Sequence, residues 1–259
     1  KEYKDEILDQ ANNIISKINK GIRDAKAVLG GSGAKGTWLK TFDADIFVKF
    51  NYNKFKDQSD KLSDILEKFL KKHFKITRLH GSRDYFQIKQ QKFTFEIVPI
   101  LEIKKAEQAK NITDVSPLHS NFVLKHRKLI DDMRLTKQFF KAAKVYGAES
   151  YIRGFSGYVC EILTINYGSF LKLISAMPKW KEKTVIDVKN YHKNKNIFTE
   201  INKSKLTSPL IIIDPVQKDR NASAALDQEK FEIVKHRAKQ FLKKPSKEFF
   251  ELKTLTEQD

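Results

Sequence analysis

The sequence predicts an α+β protein built in two parts, and three observations carry that expectation. Short strand-like runs alternate with amphipathic helices over about the first 115 residues. After Ser116-Pro117 the pattern becomes mainly helical. Apolar residues make up 40% of the chain, 19 of them Phe, so a packed core is expected despite a net charge of +18. On this basis the 259 residues divide into a mixed-sheet head, residues 1–115, and a helix-rich second domain, residues 116–259.

Within the head, Ile7, Ala11, Ile14, Ile15 and Ile18 recur at helical spacing, which predicts a helix over Tyr3–Ile22. Ala25–Leu29 is short, largely apolar and followed by two glycines, as a buried strand entering a tight loop would be. Asp45–Phe50 reads as a second strand, and Leu62, Ile65, Leu66 and Leu70 carry a helix over Gln58–Phe74. Asp84–Lys89 and Phe93–Leu101 complete the strands, separated by the polar Gln90-Gln91-Lys92. In the second part, one long helix is expected over Phe122–Tyr146, closed by Gly147 as a left-handed cap. A further helix fits Tyr151–Tyr167, strands fit Thr184–Val188 and Leu210–Ile213, and a last amphipathic helix fits Gln228–Leu242. The lysine-rich stretch Lys189–Ser208 reads as an exposed loop.

Composition narrows the function classes. A lone cysteine, Cys160, excludes an internal disulfide and a Cys-based zinc site, and it suits a reducing compartment. No apolar run approaches the roughly 18 residues needed to span a bilayer, and the first residues show no apolar leader, so a cytoplasmic protein is expected. The basic clusters Lys71-Lys72-His73, Lys125-His126-Arg127-Lys128 and Lys235-His236-Arg237 suit a polyanionic partner such as nucleic acid, or are simply solvated faces.

The chemistry concentrates in Gly30-Gly31-Ser32-Gly33-Ala34-Lys35-Gly36 and the Asp43-Ala44-Asp45 that follows. Glycines let the backbone close around an anion, and the amides with the Ser32 hydroxyl suit phosphate oxygens. An ordinary tight turn fits the same letters. No Gly-Lys-Ser or Gly-Lys-Thr follows, so this is not a Walker A loop. On a strand, Asp43 and Asp45 project to the same side, where two carboxylates repel unless a cation such as Mg²⁺ or Mn²⁺ neutralises them; two solvated turn residues are the alternative. Glu96 is the sole charged residue in the apolar run Phe93–Ile100, which makes it a third metal-ligating candidate or an edge-strand position.

Gly-Ser, then Asp-x-Asp, then a third acid on a later strand resembles the polymerase-β-like nucleotidyltransferases. Gly31–Leu39, Ser116-Pro117-Leu118-His119, Val145–Glu149, Arg153–Tyr158 and Asp214-Pro215-Val216 through Arg220-Asn221 resemble, more narrowly and in order, the class I, archaeal-type CCA-adding enzymes. The resemblance covers most of the chain from about residue 29 onward. It implies a polymerase-β-like head with a mixed sheet, two Mg²⁺ ions held by Asp43, Asp45 and Glu96, and addition of CMP and AMP from CTP and ATP to the tRNA 3′ end. It also implies that Gly31, Ser32, Lys35, His119, Lys137, Tyr146 and Arg220 bind the nucleotide: Ser32 and Lys35 at the triphosphate, His119, Lys137 and Tyr146 at the phosphates and sugar, and Arg220 at the base. From the residues alone, a solvated Lys35, a loop His119 without a role, a packing Tyr146 and an exposed salt-bridging Arg220 are the alternatives. Lys137 falls on the apolar stripe of its helix with Met133 and Phe140, so it either snorkels to solvent or aims its ammonium into a polar cleft.

Two features depart from that pattern. The third acid is Glu where the family implies Asp, and archaeal relatives continue into C-terminal parts that grip the tRNA acceptor and T arms. Either the protein is naturally reduced or this is a fragment; if it is reduced, Lys189–Ser208 and the last helix are expected to supply part of that grip. A poly(A)- or oligoadenylate-type transferase, or a non-catalytic RNA-binding module, would share the head.

Overall fold

The computed structural model describes residues 2–39 and 44–252, and Asp43 therefore lies outside the described residues. The chain forms two compact units, Lys1–Leu124 and Lys125–Asp259.

The first unit opens with α1 (Glu2–Gly21), whose Ile7, Ala11, Ile14 and Ile18 are at most 1% exposed at i, i+4, i+7, i+11 spacing. β1 (Ala25–Leu29) leads into the short α2 (Gly31–Lys35), then β2 (Ala44–Asn51) and a single turn, α3 (Tyr52–Phe55). After a 3₁₀ stretch, α4 (Leu62–His73) buries Leu62, Leu66 and Leu70 at four-residue spacing. β3 (Ile76–Leu79), β4 (Tyr85–Gln90) and β5 (Phe93–Glu102) follow. The five strands form one sheet in the order β1-β2-β5-β4-β3. β2 and β5 run parallel and every other pair is antiparallel. The sheet is therefore mixed, as expected.

Alternation sets the two faces. Ala44, Ile46, Val48 and Phe50 of β2 and Phe93, Phe95 and Ile97 of β5 are buried, and α1 and α4 pack on these strands. Asp45 and Glu96 are the out-of-phase positions and point to the opposite face. Behind β5, the Asp114 carboxylate is fully buried and accepts from the Arg83 guanidinium and the backbone N–H groups of Leu101, Lys110 and Asn111. This network pins the segment from β5 to α5 (Ser116–Leu124), and α5 packs against α2. That packing carries the first unit to Leu124, nine residues beyond the division expected at Val115.

The second unit is mainly helical: α6 (Ile130–Ala142), α7 (Gly157–Tyr167), α8 (Phe170–Ala176) and α10 (Gln228–Lys243). β6 (Thr184–Ile186) and β7 (Leu210–Ile212) form a two-stranded parallel ribbon, and the one-turn α9 (Ile197–Glu200) lies between them in sequence. Phe139, Phe140, Phe170, Trp180, Phe231 and Phe241 build the core, with Trp180 stacked on Phe231 at 6.2 Å between ring centroids.

Four sequence expectations change. The long helix over 122–146 is two helices, because Lys125 and His126 leave helical geometry and the apolar residues on either side are buried in different units. Its left-handed terminator is Lys144 (φ 57°) rather than Gly147, which adopts φ 122° in a segment where Tyr146 pairs with Phe155. The helix expected from Tyr151 starts only at Gly157, where the Ser156 hydroxyl accepts from Val159 N–H. The stretch 189–208 is more than an exposed loop: Ile197, Ile201 and Leu206 bury themselves against Ile211 and Ile213.

Candidate functional site

In the first unit, strand register brings two acids together. β2 and β5 pair in parallel with Asp45 directly opposite Glu96, so the two side chains are neighbours on one face. On the far side of β5, Gln87 pairs with Glu96 and donates from Nε2 to its Oε1 at 3.3 Å. The glycine turn closes over this pair: Gly30 N–H donates to the Asp45 carbonyl at 2.8 Å. Gly31 adopts φ 52°, and a Cβ there would fall 1.6 Å from Asp45 Oδ2. Gly31 is therefore required both for its left-handed backbone and for the space its missing side chain leaves to the carboxylate. Ser32 and Lys35 follow on α2, with Ser32 half-buried and Lys35 buried, and half-buried His119 lies on α5, which packs against α2.

The donor set fits a divalent cation. Aligned carboxylates on adjacent strands repel, and hard oxygen ligands suit Mg²⁺ or Mn²⁺. Among the described residues no cluster of three or more acids, His or Cys forms, and Asp43, the remaining member of the expected set, lies outside them.

In the second unit, Lys137 turns inward. It is 2% exposed and does not snorkel; its Nζ donates to Glu161 Oε1 at 2.7 Å, and Glu161 is fully buried on α7. Such a pair is kept by mutual compensation, because either charge alone would be costly in that interior. Next to it, the Thr136 and Thr164 hydroxyls are 2.8 Å apart, tying α6 to α7. Tyr146 is half-buried, and burial pushes its hydroxyl pKa well above the ordinary phenol value. A Cβ on Gly157 would meet the Tyr146 hydroxyl at 2.7 Å and the Lys137 ammonium end at 3.6 Å, so both side chains converge on the start of α7.

Arg220 lies after β7 and donates from Nη1 to Asp214 Oδ2 at 2.7 Å. Asp214 is fully buried, and its other oxygen accepts from the Tyr158 hydroxyl at 3.1 Å and Val216 N–H at 2.9 Å. The sequence reading missed Asp214, Tyr158 and Glu161 as individual residues. For Glu161 a signal existed, since it is the sole charged residue in the apolar run Gly157–Tyr167, the pattern that singled out Glu96.

Two known family models together cover most of the chain. A nucleotidyltransferase-domain model matches residues 8–130, and a model of the second domain of tRNA nucleotidyltransferase matches residues 131–251. A CCA-adding enzyme of Nanoarchaeum equitans is 45% identical over 80% of this chain and 52% of its own length. One from Sulfurisphaera tokodaii is 34% identical over 96% of this chain and 58% of its own. The chain belongs to the archaeal-type CCA-adding nucleotidyltransferase family. It spans about half the length of the curated relatives it matches.

Solved structures agree on the fold. A cytoplasmic RNA terminal U-transferase superposes with a TM-score of 0.71 at 13% identity, covering 97% of this chain and 93% of that one. E. coli CdnC with ATP gives 0.62 at 18% identity, covering 96% and 89%. The polymerase-β-like head with a helical second part is thus the fold of this family member. Membership implies a general dependence on a divalent cation. Among the described residues no helix is long and apolar enough to cross a membrane.

Proposed function

We propose that this chain adds CMP and AMP, taken from CTP and ATP, to the 3′ end of tRNA in the cytoplasm, without a template. The observation that carries the reading is the register of Asp45 beside Glu96 under the Gly30-Gly31 turn. In the reaction the terminal 3′ oxygen bonds to the α-phosphorus as the bond to the β-phosphate oxygen breaks, releasing pyrophosphate. Asp45 and Glu96, with Asp43, would hold the metal, two Mg²⁺ ions in this reading. When bound, these supply Lewis-acid polarisation of the 3′ hydroxyl and the phosphates.

The chain's own groups do the rest. Ser32 and Lys35 take the triphosphate, while His119, Lys137 and Tyr146 take the phosphates and sugar. The Asp45–Glu96 pair sits on rigid strands, so its position is not re-made in each turnover. Arg220 carries only N–H donors. It therefore favours bases that present an acceptor at the Watson–Crick ring nitrogen, as cytosine and adenine do, over uracil and guanine, which present N–H there. The longer side chain of Glu96, relative to the Asp of the family pattern, shifts one oxygen ligand by about one bond length and suits a flexible coordination shell.

The test is a tRNA transcript lacking its CCA end, with Mg²⁺ and labelled CTP or ATP supplied separately and together. Two C additions followed by one A, then a stop, are expected. Extension by ATP alone would point to a poly(A)-type transferase, and RNA binding without turnover to a binding module.

A further inference from the structure

We propose that Asp214 is the positioning residue for base selection, holding the Arg220 guanidinium in the one orientation from which it reads the base. The inference rests on the reading of Arg220 as the base-facing group and extends it to a residue without a role there.

An arginine has four side-chain torsions, and about a third of this one is exposed. Left to itself, such a side chain samples many rotamers and makes a poor ruler. Asp214 removes that freedom from two directions. Its Oδ2 accepts from Arg220 Nη1 at 2.7 Å, a charge-assisted contact inside the protein. Its backbone N–H donates to the Arg220 carbonyl at 3.0 Å, closing the six-residue turn between the two. Asp214 is itself fixed from behind: Oδ1 accepts both the Tyr158 hydroxyl, from the first turn of α7, and Val216 N–H. The carboxylate therefore divides its work, with Oδ1 anchored to the fold and Oδ2 facing the arginine. The fully buried Asp214 has nothing to gain from solvent. Arg220 offers its remaining N–H groups at the surface.

The division of labour supplies a selective test. In Asp214→Asn the amide oxygen can keep the Tyr158 and Val216 donors, which turns the NH₂ group toward Arg220, donor against donor. Anchoring survives while the orientation of Arg220 is lost. We expect the ratio of kcat/KM for CTP over UTP, measured on a tRNA transcript lacking its CCA end, to fall about tenfold. KM for CTP should rise and kcat should change little. Tyr158→Phe, which leaves no buried charge unpaired and so is the milder variant for folding, should move the ratio the same way by about threefold. Arg220→Ala should abolish the discrimination, and adding Asp214→Asn to it should change nothing further.

Equilibrium binding of CTP and UTP by calorimetry gives the same comparison without turnover. A parent-like CTP/UTP ratio in both Asp214→Asn and Tyr158→Phe overturns the proposal, and so does full additivity of Asp214→Asn with Arg220→Ala. If Arg220→Ala itself keeps the parent ratio, or the parent chain discriminates neither in turnover nor in binding, the reading of Arg220 fails first and the proposal falls with it.

Discussion

Gly31→Ala tests the link between the glycine turn and the acids most directly. The added methyl would lie 1.6 Å from Asp45 Oδ2, 2.7 Å from its Cγ and 3.1 Å from its Cβ, so the whole Asp45 side chain must swing away. The backbone there, at φ 52°, costs an L-residue about 1–2 kcal/mol. Moving Asp45 off its rotamer adds about 0.5–1.5 kcal/mol. A loss of about 2–3 kcal/mol follows, which lowers the melting temperature of the first unit by about 5–10 °C. The activity loss should be larger than the stability loss, because the displaced atom is the oxygen proposed to hold the metal: we expect incorporation to fall at least about a hundredfold, a factor in line with a misplaced reacting group. Calorimetry or circular dichroism gives the melting temperature, and single-nucleotide CTP incorporation the rate.

Gly33→Ala is the control, since its Cβ would meet only Leu29 carbons at 3.3–3.4 Å, and it should stay within about 1 kcal/mol of the parent with near-parent turnover. A Gly31→Ala protein that melts and turns over like the parent would falsify the argument that this glycine is there to make room for Asp45.

Three further outcomes are expected. Asp45→Ala should remove incorporation while leaving tRNA binding, by filter retention, within about twofold; residual turnover near the parent level would remove Asp45 from the metal set. Lys137→Met removes the lysine that compensates the buried Glu161 carboxylate and should cost about 3–5 kcal/mol in urea unfolding, whereas Lys137→Met with Glu161→Leu should recover much of that loss. In the first unit, Lys71 first and then Arg78 hold the Glu67 carboxyl below its ordinary 4.5, and His80 first and then Arg78 hold Asp84 below its ordinary 3.8. Both folded pKa values are depressed, so the stability they contribute is present above those ordinary values and is lost as the pH falls through the lower folded ones. Arg78→Ala should flatten the acid limb of the stability profile below about pH 4 and leave neutral-pH turnover near the parent, and an unchanged limb would show that Arg78 does not depress these carboxyls.

Much of the architecture was legible because it is local. The alternating four- and three-residue spacing of Ile7, Ala11, Ile14 and Ile18 specifies a helix with one buried face whatever it packs on, and β2 and β5 show their alternation in the letters. Asp45 and Glu96 stood out for a similar reason, being acids set in apolar strands. The edge strand β3, the five-residue α2 and the short α8 were not read, because runs this brief carry too little periodicity to separate from a loop. The single helix expected over 122–146 failed because apolar spacing cannot tell which core each residue joins: Phe122 and Val123 are buried in the first unit, Phe139 and Phe140 in the second.

By itself, then, the chain's sequence determined the element types, the mixed α+β character and the identity of the acids and cations that suit nucleotidyl transfer. Tertiary structure alone decided their partners. Asp45 faces Glu96 because two strands about fifty residues apart pair in one of several available registers, and a one-residue slip would turn Glu96 into the core. Lys137 turns inward to Glu161, and Tyr158 to Asp214, because a buried carboxylate needs partners within about 3 Å, here brought from 24 and 56 positions away. Periodicity depends on near neighbours and can be read from one string, whereas register and charge compensation depend on which distant surfaces bury one another.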